Sequence, residues 1–111
     1  MRAASALTVV TLMTLASVSK SEEMDKVTFA ALINAAGAQC GVRIPDRSTE
    51  FEVAYREIRA AQAELFAAAE WAPEYPGRLA SAEMIFKRER IENLETLCRT
   101  VLIDTAQEAE R

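Results

Sequence analysis

The sequence contains no histidine. That absence removes the commonest general base and the commonest metal ligand, and excludes histidine-ligated haem. Glycine is nearly absent as well, with three residues in the chain and none in the spacing of a phosphate-binding loop. Aromatic residues make up 6% of the total, so the core is expected to be thin. Cysteine is limited to Cys40 and Cys98, with no C-x-x-C pair, which argues against a redox-active dithiol. The few serines beyond the leader have no partner base. Carboxylates are plentiful, but they follow no acid–base or metal pattern, and a di-iron bundle would need Glu-x-x-His. These absences together argue against an enzyme, and no cofactor or metal is expected.

What remains is short and acidic. The chain has 111 residues, 13 basic and 17 acidic, for a formal charge of −4. One domain is the natural reading. A nucleic-acid partner wants a basic face, and the balance here is the wrong sign.

The N-terminus has the pattern of a secretory signal peptide over residues 1–19. Met1 and Arg2 give a positive start, Ala3 to Ser19 carries no charge, and small residues stand near its end. Cleavage is expected after Ser19 or Ala16, leaving a helical domain over residues 20–111. Two alternatives stay open. The run is at the short limit for a membrane span and would then be an uncleaved anchor, or translation would start at Met24. A membrane contact is expected only if the leader is retained.

Helical periodicity governs the rest. Ser21 can cap a first helix, in which Phe29, Ile33, Ala36 and Cys40 share a face and Gly41 is the expected stop. Gly37, inside that helix, is a weak point unless a neighbouring helix approaches closely. Thr49 with Glu52 reads as a capping box for a second helix. Its stripe runs Phe51, Ala54, Tyr55, Ile58, Ala61, Leu65 and Ala69, with Val53 misplaced on the opposite side. Trp71 to Gly77 breaks the pattern with two prolines and a glycine. A third helix is then expected from Leu79 to Thr105, with Met84, Ile91, Cys98 and Thr105 at every seventh position. Glu83–Lys87, Glu52–Arg56 and Glu95–Arg99 have the spacing of surface ion pairs.

This pattern predicts an all-α fold, a small three-helix up-down-up bundle stapled by one disulfide. An even cysteine count behind an export signal reads as a bridge. In an up-down-up bundle the first and third helices run parallel, which brings Cys40 and Cys98 to one end. Closing so long a loop is worth about 4 kcal/mol in the chain-entropy picture.

Four residues stand out as candidate partner contacts: Trp71, Tyr75, Lys87 and Arg90. Trp71 and Tyr75 concentrate aromatic surface beside prolines, and either anchor a partner or plug one end of the bundle. Lys87 falls inside the expected apolar stripe, and with Arg78, Arg88 and Arg90 it forms a basic cluster, either gripping an anionic group or snorkelling at the end of the bundle. Ile85 and Ile103 point to the polar side, where exposed aliphatics mark a binding face or an oligomer seam. The expected function is that of a non-catalytic exported (periplasmic or secreted) helical protein, a protein-binding or accessory factor. The alternatives are a small membrane-anchored accessory subunit and a periplasmic chaperone of the acid-stress type. Neither the partner's identity nor the oligomeric state is legible in the sequence.

Overall fold

The computed structural model describes residues 24–110. The leader expected over residues 1–19, and the cap expected at Ser21, lie outside the described residues. Within them the chain is helical, with no strand. In order come α1 (Lys26–Arg43), a single 3-10 turn (Pro45–Arg47), α2 (Ser48–Ala61), α3 (Ala63–Glu70), α4 (Tyr75–Arg88), α5 (Ile91–Cys98), a π-helical stretch (Arg99–Asp104) and α6 (Thr105–Ala109).

Helix α1 is the hub. Asp25 caps it, its carboxylate accepting the backbone N–H groups of Val27 and Thr28. The helix runs through Gly41 to Arg43, past the expected stop. Ala30, Ala31, Ile33, Ala35, Ala36 and Cys40 are all buried, which is more than one stripe. Alanine explains this, because a helix packed on several sides needs small residues where its neighbours approach. Gly37 marks the tightest of these approaches, since a Cβ there would lie 2.6 Å from the Tyr55 ring.

The direction of each segment follows from its contacts. Helix α2 returns antiparallel to α1, with Ser48 against Gly41 and Tyr55 against Gly37. Helix α4 runs parallel to α1. Arg78 near its start pairs with Asp25 and Thr28, and the carbonyls at its end meet Arg43. The C-terminal segment then descends alongside α2, from Arg99 near Glu50 to Glu110 near Glu57.

The third rod therefore departs from expectation. The helix expected over Leu79–Thr105 begins earlier, at Tyr75, and stops at Arg88. Glu89 and Arg90 are extended, with ψ 142° and 147°, and the chain turns back. Neither residue is a helix breaker, so the cause is tertiary. Arg43 Nη1 donates to the carbonyl oxygens of Phe86 (2.7 Å), Lys87 (3.3 Å) and Glu89 (2.9 Å). One guanidinium thus satisfies carbonyls that the end of α4 leaves without partners. Replacing Arg43 with alanine should cost about 1–2 kcal/mol and loosen this corner. Urea unfolding, with amide exchange at Phe86–Glu89, checks it.

The inner face differs from the expected one on both sides of the break, since α4 packs through Ala82 and Phe86. Met84 and Ile91, expected inside, are 41% and 53% exposed, whereas Phe86, Leu94 and Cys98 are buried. The π-helical stretch moves the register on, since a wider turn absorbs an extra residue. Ala106 is buried there, in place of the expected Thr105. A second break falls at Gln62, inside the expected second helix. On a straight helix Arg59 and Glu70 would stand about 16 Å apart, yet their side chains meet at 2.7 Å. The bend at Gln62 is what lets them meet.

The disulfide forms as expected. Cys40 and Cys98 are bonded, with their Cα atoms 5.9 Å apart, and both are fully buried. The route differs, because Cys98 belongs to the descending segment and not to a helix parallel to α1. Phe51, Phe66, Phe86, Ile33, Ile58, Leu94 and Leu102 complete the core around the bridge.

Candidate functional site

Asn34 stands alone as a polar residue in the run from Phe29 to Ala36, and it organises the best-defined polar site. Its side-chain N–H groups donate to Glu70 Oε2 and Tyr75 Oη, each at 2.7 Å. Its carbonyl oxygen accepts from Tyr55 Oη at 2.7 Å and from Arg59 Nη1 at 2.9 Å. Four bonds exhaust what an asparagine amide can make. The orientation is determined too, since a flipped amide would set N–H against the Arg59 donor. Arg59 also donates to Glu70 at 2.7 Å and lies over the Phe66 ring, 4.7 Å from its centroid. Side chains from α1, α2, α3 and α4 thus meet at one half-buried point.

Chemically this is a clamp. The Arg59 guanidinium, followed by Asn34, holds the Glu70 carboxyl below its ordinary value, while Glu70 raises Arg59. A carboxylate so held is a poor proton acceptor at neutral pH. A second clamp closes the start of α1. Arg78 donates to Asp25 at 2.6 Å and also to Thr28. Arg78 first, and then the Thr28 hydroxyl that donates to the same carboxylate at 3.0 Å, take Asp25 from its ordinary 3.8 to about 2.

Both carboxyls titrate lower in the folded chain than in the unfolded one. Their stabilisation is full above the unfolded values and is lost as pH falls through the folded ones. The protein should therefore lose stability as pH falls from about 4.5, the ordinary value for Glu70, to about 2, the folded value for Asp25. Urea midpoints measured against pH check this, and Asp25→Asn with Glu70→Gln should flatten that limb of the curve.

The four candidate contact residues do not form one surface. Trp71 is 88% exposed, so it is no plug. It stands at the corner between α3 and α4, followed by exposed Pro73. Tyr75 is half-buried and bound to Asn34, which makes it part of the clamp. Lys87 and Arg90 are exposed at the other end of α4, about 18 Å along the helix from Tyr75. Arg90 pairs with Glu92 at 2.9 Å. Arg78, held by Asp25, is also far from Lys87, so the expected basic cluster is divided. The expected Glu83–Lys87 pair does not form, while Glu52–Arg56 and Glu95–Arg99 do, at 3.4 Å and 3.7 Å.

A protein-family scan, a search of curated proteins and a search of solved structures each find no match to this chain.

One surface was only hinted at in the sequence. A groove of about 410 Å³ lies between α2 and the C-terminal segment. Val53, Ala54, Ile103 and Ala106 line its floor, and Glu50, Glu57 and Glu110 its rim. Val53, the misplaced apolar residue of the second helix, was the signal. Ile103, expected on the polar side, is half-buried there against the core. Among the described residues no group of three histidine, cysteine or carboxylate side chains is placed to hold a metal ion. No single described helix is long and apolar enough to cross a membrane.

Proposed function

We propose that this protein is a non-catalytic accessory factor of an extracytoplasmic compartment, most simply a periplasm, and that it works by protein–protein contact. The observation that carries this reading is the 88% exposure of Trp71. A tryptophan loses a large apolar area from water when a partner covers it, and tryptophans dominate binding energy where they do so. The clamp behind it supports the same reading, because it ties α3 to α4 on either side of the corner and presents the indole on a stiff support. The disulfide supports an oxidising address.

Capture from the exported fraction with native protein and with Trp71→Ala is the test. Since Trp71 is exposed, the variant should fold with unchanged stability and lose at least tenfold in partner affinity, the equivalent of about 1.4 kcal/mol. Full retention of the same partner by the variant would remove the corner from consideration. The address is tested separately, by fractionation and intact mass, with loss of the leader expected.

A further inference from the structure

We propose that the protein assembles head to tail with further copies of itself, the exposed ridge of α4 on one copy seating in the groove between α2 and the C-terminal segment on the next. Neither the Trp71 corner nor the clamp takes part in this contact.

The groove between α2 and the C-terminal segment limits what can occupy it. Its floor is apolar, and two of its rim carboxylates, Glu57 and Glu110, pair with no cation among the described residues. Glu50 is already shared between Arg47 at 3.4 Å and Arg99 at 3.9 Å. An occupant should therefore be apolar in the middle and carry about two positive charges.

The ridge of α4 has that composition. Met84 and Ile85 are 41% and 51% exposed. Lys87 and Arg88 stand beside them, exposed and in no ion pair with a described residue. At 100° per residue Met84 and Arg88 lie opposite buried Phe86, with Lys87 on the near flank of Met84 and Ile85 on the far flank of Arg88, so the two cations bracket Met84. Two unpaired cations around an apolar centre thus face, on another copy, two unpaired carboxylates around an apolar floor. Opposite signs steer such surfaces together and fix their register.

The two surfaces cannot satisfy each other within one chain. Helix α4 packs on α1, while the groove is built by α2 and the C-terminal segment. A contact between unlike surfaces leaves one of each free at the ends, so growth continues unless the ring closes. The groove is small, and the contact belongs to the weak, transient class.

Charge reversal tests it, with the disulfide intact. One variant carries Glu57→Lys and Glu110→Lys, and the other carries Lys87→Glu and Arg88→Glu. All four sites are exposed, and circular dichroism confirms folding. Sedimentation of the unaltered protein should show mass rising with concentration. Each variant alone should associate at least tenfold more weakly, and mixing the two should restore association, because each ridge then meets a groove of opposite sign. An unaltered protein that stays monomeric, variants that associate undiminished, or a mixture that does not associate would each overturn the proposal. A monomeric protein whose groove takes up a cationic amphipathic peptide would overturn it as well, and would assign the groove to a different partner.

Discussion

Replacing Cys40 and Cys98 together with alanine is expected to lower the stability of the folded chain by about 4 kcal/mol. The bridge joins residues 58 positions apart, and a loop of that size removes about that much chain entropy from the unfolded ensemble. Small domains have only about 5–15 kcal/mol in total. For a domain of this size, 4 kcal/mol corresponds to a drop in Tm of the order of 20 °C. Alanine is the better replacement, since both sites are fully buried and serine would bring an unsatisfied hydroxyl with it. The bridge also joins the end of α1 to the start of the descending segment, beside the corner that Arg43 holds. Its loss should therefore open the C-terminal segment before the α1–α2 hairpin. Amide exchange on the double variant checks the order, with Leu94–Leu102 exchanging faster than Ile33–Ile58. Equal stability of the variant and the native protein would mean that the bridge restrains little in the unfolded chain.

The all-helical class, the paired cysteines and most of the second helix's inner face were legible in the sequence. Each depends on local periodicity or on chemistry that two residues carry by themselves. Phe51, Ala54 and Ile58 recur at helical spacing and are buried. The two interruptions were not legible, because their causes lie elsewhere in the chain. Glu89 and Arg90 are ordinary helix formers, and the chain leaves the helix there because Arg43, some 45 positions earlier in the chain, takes its carbonyls. Gln62 carries no breaker either, and its bend is held by the meeting of Arg59 with Glu70. Helix α4 packs through Ala82 and Phe86, so Met84 and Lys87 already point outward before the break, and Ile91 beyond it is exposed as well. The apparent conflict of a lysine inside an apolar stripe was a sign that the stripe itself was misplaced. Burial of α1 on several sides was disguised by alanine, which marks close packing without announcing a face.

Asn34→Leu should be the most damaging single substitution at the polar site, at about 2–3 kcal/mol. Leucine is close in size, so the loss comes from the partners left behind. Tyr55 would lose its acceptor, Tyr75 its donor, and Glu70 one of its two donors. Each half-buried polar atom left without a partner costs about 1–3 kcal/mol, less where water can reach it. Arg59 and Glu70 would keep each other, which sets a ceiling on the loss. Tyr55→Phe removes one of those bonds at its far end and should cost about 1 kcal/mol. Combined with Asn34→Leu, it should cost less than the sum of the two, because the bond it breaks is already gone. A double-mutant cycle by urea unfolding measures that coupling. Strict additivity would show that the hydroxyl of Tyr55 prefers water to Asn34. In that case Gly37 would serve only to admit the tyrosine ring, and the clamp would reduce to Asn34, Arg59, Glu70 and Tyr75.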